Sequence, residues 1–298
     1  MPPDKNFLAH TGADFVSTAR HDTYDAIDPL KADLLGKVVL ITGASKGIGQ
    51  AISIAYAQAG ASGLALLARN KSGLEATRKA CLEAQRPGQN LQVLLLNEDV
   101  IHTEAIAAAV KEIEATFERL DIVINNAGVM DGPQNIGDTD SNEWWDVWSV
   151  NVKGLFNVTR ATLPLLLSCS DGLRTIVNLT SPRALVLERG FSAYQTTKLA
   201  ILRLSELTAV EYEDKGILCY AIHPGHIITD IVALIPEEWK IIFIDTAELA
   251  GHTVVFYSRE RRDWLAGRYL NAQWDVEELL AKKEEIITGD KLRVRLEV

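Results

Sequence analysis

Six short apolar runs, separated by stretches long enough for helices, constrain this chain more than any other feature of its sequence. They are Lys37–Thr42, Leu64–Ala68, Leu91–Leu96, Asp121–Asn125, Thr175–Leu179 and Ile217–Ile222. Apolar residues fill most positions of each run instead of alternate ones, the pattern of strands covered on both faces. Between and after them, residues 48–59, 72–85, 103–118, 142–168 and 192–214 read as helices. Strands that alternate with helices return through crossovers and pair in parallel. The expected fold is α/β, a doubly wound parallel sheet with helices on both faces. Gly267–Asn271 is the expected seventh strand.

A length of 298 residues suits one such domain, expected over residues 36–275. Residues 1–35 are polar, with Pro2, Pro3 and Pro29, and read as an N-terminal arm that lies over the domain or is partly disordered. Residues 276–298 read as a C-terminal tail, with a charged helix near 275–286 and a short, basic, β-leaning end at Lys291–Arg295. The net charge of −10 argues against non-specific nucleic-acid binding and against adsorption to anionic membranes. No run approaches the ~18 apolar residues of a membrane span. The first residues lack the apolar core of a secretory signal, so a cytoplasmic location is expected. Cys81, Cys169 and Cys219 match no zinc spacing and no disulfide framework, and read as buried or half-buried thiols.

The first run leads into Gly43-Ala44-Ser45-Lys46-Gly47-Ile48-Gly49, and a helix follows at once. Strand, glycine turn and helix aim helix N–H groups and the positive dipole end at a pyrophosphate. In this reading Gly43 allows the turn, Gly47 leaves room for phosphate and Gly49 lets helix and strand approach. The second run ends at Arg69, where a nucleotide's adenosine ribose would lie. A carboxylate there selects NAD(H), whereas an arginine accommodates a 2′-phosphate. With Lys46 and Ser45 in the loop and no acid nearby in the chain before Glu75, NADP(H) is the expected cofactor. A merely solvated Arg69 is the alternative. Asp99-Val100 after the third run and Asn125-Asn126-Ala127-Gly128 after the fourth fall at strand carboxyl ends, where ligands gather.

Tyr194 and Lys198 are four apart and share a helix face. A phenol with a pKa near 10 is a poor base at neutral pH, and an adjacent ammonium lowers that value. Taken together, Gly43-x-x-x-Gly47-x-Gly49, Asn125–Gly128, Asn151, Ser181, Tyr194-x-x-x-Lys198 and Pro224-Gly225 stand in the order and spacing of the short-chain dehydrogenase/reductase family. The chain resembles that family over about residues 35–275, and its arm and charged tail resemble fungal members.

The resemblance implies a Rossmann-type sheet and a tetrad of Asn151, Ser181, Tyr194 and Lys198. Tyr194 would be the general acid or base, and Lys198 would lower its pKa and bind the nicotinamide ribose. Ser181 would hold the substrate oxygen, and Asn151 a water. Ile227 and Thr229, after Pro224 and Gly225, would meet the carboxamide. His226 is read as loop structure or pocket lining. Arg183 either binds a substrate group or pairs with Glu188. A lid is expected over about 227–250, its apolar stretch Ile231–Thr246 including Trp239 and Phe243. Its apolar character points either to a hydrophobic, even polycyclic, alcohol or ketone or to packing against the core. Trp144, Trp145 and Trp148 read as subunit or core contacts, and the family implies a homodimer or homotetramer. Two other classes stay open: a redox-inactive NADP(H)-binding regulatory protein, and a non-redox lyase or cyclase.

Overall fold

A computed structural model describes residues 10–233, 235 and 237–296. Residues 1–9 of the expected arm, positions 234 and 236 of the expected lid and the last two residues of the tail lie outside the described residues. Seven strands form one parallel sheet in the order β3-β2-β1-β4-β5-β6-β7. They are β1 Val38–Thr42, β2 Gly63–Leu67, β3 Gln92–Leu96, β4 Ile122–Asn125, β5 Thr175–Leu179, β6 Leu218–His223 and β7 Tyr269–Asn271. The expected α/β fold is the observed one, and every expected strand is present within two residues of its expected bounds.

The strands' inward residues alternate between two cores. Val39 and Ile41 of β1, Leu64 and Leu66 of β2 and Ile122 and Ile124 of β4 enter one core. Val38 and Leu40, Ala65 and Leu67, and Val123 enter the other. The period of two along each strand therefore supplies both faces, and each face is covered by helices. On the first face lie α1 Gly47–Gln58, α2 Lys71–Ala84 and α7 Ala247–Ser258. On the second lie α3 Thr103–Phe117 and α5 Leu155–Ser168, with the end of α6 Ser192–Glu211.

The expected helix over 142–168 is interrupted. It comprises α4 Ser141–Trp148, a π-helical turn Ser149–Gly154 and then α5. The turn holds Asn151, whose side chain is engaged outside the helix, as described below. Such single π turns are commonly tied to functional positions. The expected charged helix near 275–286 is two short ones, α8 Val276–Ala281 and α9 Lys283–Thr288, the first capped by the Asp275 carboxylate. The β-leaning end at 291–295 forms no strand among the described residues. Its contact with the sheet is a bond from Tyr269 N to Leu292 O at 2.8 Å, and arginine side chains anchor the rest: Arg293 reaches the carbonyls of Ala266 and Gly267.

Residues 10–35 are packed against the first face. Val16, Ile27 and Leu34 are buried in the same core as Ile41, and so are Trp274, Val276, Leu279 and Ile286 of the C-terminal segment. The two ends of the chain hold each other. Ala19 pairs with Trp274, Arg20 forks onto Asp275, and Glu278 accepts from Ser17 and Thr18. Arg86 donates to the carbonyls of Gln58, Pro29, Leu30 and Ala32, joining the arm to α1 and α2. The three cysteines are buried and unpaired.

Asp121, at the start of β4, carries one strong constraint. Its fully buried carboxylate accepts from Val38 N at 2.9 Å and takes two bonds from Arg119, at 2.9 and 2.8 Å. Asp121→Ala would leave the buried Val38 N–H without a partner and Arg119 with only its longer, exposed pairing to Asp171, which costs about 3 kcal/mol. Urea denaturation should show a loss of that order, and a change below about 1 kcal/mol would contradict this account.

Candidate active site

A cleft of about 1400 Å³ opens along the carboxyl edge of the sheet. It exceeds the ~300–1,000 Å³ typical of small-molecule pockets. Residues following β1 through β6 line it: Gly43, Ser45–Gly49, Arg69, Asp99, Asn126–Met130, Ser181 and Pro224–Thr229. Of the site residues expected from sequence, all but Asn151 line this one cleft.

At the glycine loop the backbone approaches itself closely. Gly43 has φ +66°, and a Cβ on Gly49 would stand 2.2 Å from Gly43 O. The first turn of α1 therefore leans onto the end of β1, open to the cleft. Thr77 Oγ1 donates to Ala44 O at 2.9 Å and holds the loop from α2. Thr42 and Asn126 hold it from β4: Thr42 Oγ1 accepts from the backbone N–H groups of Asn126 and Ala127, and Asn126 Nδ2 donates to Thr42 O and Gly43 O.

At the end of the cleft beside Arg69, the structure corrects the expectation of cations without anions. Arg69 stands 3.5 Å from Asp99, and Lys46 is paired with Asp230. Both acids are remote in sequence, and the folded sheet edge brings them in. Arg69 and Lys46 keep most of their side chains exposed, at 68% and 64%. Their heads can exchange a carboxylate for a phosphate, which offers more acceptor oxygens.

At the other end, Ser181 follows β5, its hydroxyl accepts from Arg183 N at 3.2 Å, and it lies close enough to Tyr194 to lower the phenol's pKa. Lys198 is buried beneath Tyr194, its Nζ 5.5 Å from the ring centre and donating to Leu179 O at 3.0 Å. Burial pulls this ammonium from the ordinary 10.5 down to about 8. The Tyr194 phenol is raised: burial outweighs the Ser181 hydrogen bond and the Arg183 charge, and Asp131 adds to the rise. Desolvation dominates at this phenol, which is raised, against the lowering that a neighbouring ammonium alone would give. Asp131 is itself raised by burial. It was not singled out in the sequence, where nothing but its place three residues after Gly128 points to it.

Asn151 lies behind the cleft. Its Oδ1 accepts from Val129 N at 2.9 Å, and its Nδ2 donates to Val129 O at 2.9 Å and to Thr197 Oγ1 at 3.0 Å. Both amide hydrogens are taken, so the second lone pair of Oδ1 is what the side chain has left to offer a water. The π turn is what lets this side chain bridge the end of β4 and helix α6. Arg183 pairs with Glu188 at 2.7 Å and lies over the Phe191 ring at 4.4 Å. His226 lines the cleft, edge-on to His223 at 4.9 Å and lowered in pKa by burial. Met130, Val186, Leu187, Trp239, Ile242 and Phe243 give this end an apolar wall.

A dinucleotide fits the residues present. The Thr229 hydroxyl oxygen is buried and has no partner within the protein, as a ligand-binding group would. The glycine loop leaves open cleft in front of a helix N-terminus, and two exposed cations stand at the far end. Among the described residues there is no cluster able to hold a metal ion, and no helix is long and apolar enough to cross a membrane.

Comparison with known proteins agrees with this arrangement. The family profile described as short chain dehydrogenase matches residues 37–239. A short chain dehydrogenase of Monascus purpureus, mpl6, is 46% identical over 97% of this chain and 99% of its own. Another, pigC of Monascus ruber, is 43% identical over 99% of both chains. Among solved structures, a short-chain type dehydrogenase/reductase from Mycobacterium marinum superposes with a TM-score of 0.73 at 25% identity, covering 83% of this chain and 97% of its own. Carveol dehydrogenase from Mycobacterium avium, solved in complex with NAD, shares the fold at a TM-score of 0.73 and 21% identity, over 81% and 97%. With its parallel seven-stranded sheet, its glycine loop and relatives matched over nearly their whole length, this chain belongs to the short-chain dehydrogenase family of oxidoreductases.

Proposed function

We propose that the protein is an NADP(H)-dependent oxidoreductase that interconverts a secondary alcohol and a ketone on a hydrophobic small molecule, with Tyr194 as the acid or base. The observation that carries this reading is the convergence of Tyr194, Ser181 and Lys198 on one apolar-walled end of the cleft whose other end is the glycine loop. When bound, the nicotinamide supplies or accepts the hydride. The Ser181 hydroxyl donates to the substrate oxygen and stabilises the charge that develops there. Tyr194 Oη delivers the proton to the same oxygen. A phenol kept neutral by burial suits proton donation, so the reading favours ketone reduction at neutral pH. Lys198, held on Leu179 O, would offer its remaining donors to the ribose, and Asn151 keeps Val129 and Thr197 in register behind it. Thr229 and the Ile227 backbone would hold the carboxamide.

NADP(H) is favoured by Arg69 at the end of β2, whose guanidinium is more exposed than paired. Asp99 then serves the adenine edge. Exposed Leu199, Leu207 and Val210 lie along one stripe of α6, and exposed Phe156 lies on α5, which supports a homodimer or homotetramer formed through these helices. A cytoplasmic location fits the acidic composition and the free thiols.

Tyr194→Phe should lower kcat at least a thousandfold in an NADPH-oxidation assay with a ketone panel, while NADPH binding stays within about threefold. Turnover retained within tenfold would remove Tyr194 from the chemistry. For cofactor choice, kcat/KM should favour NADPH in the wild type, and Arg69→Ala should lower that preference at least tenfold. A wild type that prefers NADH sinks the assignment. Burying the Lys198 ammonium has a stability consequence whose sign follows from its lowered pKa. Unfolding takes up a proton between about pH 8 and 10.5, so Lys198 destabilises below 8 and this penalty fades as pH rises through the window. Lys198→Met should therefore be inactive yet more stable at pH 7, by at most about 3 kcal/mol. The difference should shrink by pH 10, and an equally large gap at both pH values would refute it.

A further inference from the structure

Three segments outside the matched family region meet at one buried carboxylate. Asp245 has a fully buried side chain and lies within the expected lid, just before α7. Its Oδ1 lies 2.6 Å from Nδ1 of His21, in the N-terminal arm. A carboxylate has no proton to give, so His21 is the donor. The other oxygen, Oδ2, accepts from Gln273 Nε2 at 2.9 Å, beyond β7, and from the backbone N–H of His226. Asp245 N in turn donates to His226 O at 3.1 Å. Gly225, with φ +110°, lies so close that a Cβ there would stand 2.8 Å from Oδ2. The carboxylate is thus clasped to the loop Pro224–Thr229 by both backbone groups of His226. The arm adds a second grip. His21 O accepts from Thr246 N at 3.0 Å, and Asp22 accepts from Thr246 Oγ1 at 2.9 Å, beside the cap of α7. Gln273 O accepts from Arg20 N at 2.7 Å, which closes the ring of contacts.

We infer that His21 is a positioning residue for cofactor binding: through Asp245, the arm holds the loop Pro224–Thr229 in the conformation that receives the nicotinamide end of the cofactor. This rests on the nicotinamide reading of that loop. His21 does not line the cleft, so it acts through another residue. His223 and Lys198 lie beside the loop and His226 within it, and none of their side chains bonds to Asp245 Oδ1 in place of His21. Without the His21 N–H, a buried carboxylate oxygen loses its partner and the loop becomes free to rearrange.

The test compares wild type, His21→Ala, His21→Phe and His21→Asn as full-length proteins. Phe keeps a ring and removes the donor. Asn places an amide N–H where Nδ1–H stands. NADPH and NADH are titrated by calorimetry without substrate, and hydrogen exchange is followed in a peptide spanning 224–230. His21→Ala and His21→Phe should bind NADPH about tenfold more weakly, equivalent to about 1.4 kcal/mol. The 224–230 amides should exchange faster in both, and His21→Asn should restore binding to within threefold. In turnover, KM for the cofactor should rise while kcat at saturation stays within twofold. If His21→Ala does not fold, His21→Phe against His21→Asn carries the same comparison. Equal affinity in all variants, or an Asn variant as weak as Phe, overturns the proposal and leaves the cofactor reading intact. A wild type that binds neither nucleotide overturns both.

Discussion

The cleft depends on how the ends of β1 and β4 are joined. Thr42 accepts two backbone N–H groups from the residues after β4, and Asn126 returns its amide to the carbonyls of Thr42 and Gly43. Four hydrogen bonds thereby fix the glycine loop relative to the strand that leads to Gly128. Parallel strands leave their carboxyl ends as unpaired, divergent turns, and ligand sites form where those turns part. Here the parting is set by side chain-to-backbone bonds and not by ladder pairing alone. The same junction places Gly128 between Asn151 and Lys198: a Cβ there would lie 3.3 Å from Asn151 Oδ1 and 3.6 Å from Lys198 Nζ. Loosening it would disturb both ends of the cleft together.

Buried amides behind the cleft are linked in chains. Asn125 donates to Thr159 and Asn178, and Asn178 donates to Ser205, which ties β4 and β5 to α5 and α6. Such chains favour one arrangement because breaking them leaves further polar groups unpaired in a low-dielectric interior, where Asn125 Oδ1 already has no partner within the protein. Against this background, burial lowers the pKa of the Lys198 ammonium and raises that of the Tyr194 phenol, as it also raises Asp131 and lowers His226. A charge held where it is costly, beside a phenol held neutral, is what a site for proton transfer requires.

Much of the fold was legible because its cause is local. A two-sided sheet needs strands apolar at nearly every position, and the six runs from Lys37 to Ile222 show this directly. The seventh strand was harder, since Tyr269–Asn271 has three residues and borrows its edge partner from Leu292. The interruption around Asn151 was not legible at all. Val150, Val152 and Leu155 keep a helical pattern through the π turn, and only the bonds of Asn151 to Val129 and Thr197 show why the helix swells there. The tail's β-leaning composition misled for a related reason: Arg293 and Arg295 are used for side-chain anchoring, which composition does not distinguish from strand pairing.

The site divides in the same way. Glycine spacing, the four-residue step from Tyr194 to Lys198 and the position of Ser181 after a strand are properties of the chain, and they determined which residues could carry the chemistry. Tertiary structure decided what those residues face. It put Asp99 beside Arg69 and Asp230 beside Lys46, where the chain alone shows cations without acids. It let burial, and not the neighbouring ammonium, set the state of Tyr194. It also brought His21 to Asp245 across 224 residues. Local sequence encodes backbone conformation through short-range sterics and periodicity. Electrostatics and desolvation depend on everything within several ångströms in space, and that neighbourhood exists only after the chain has folded.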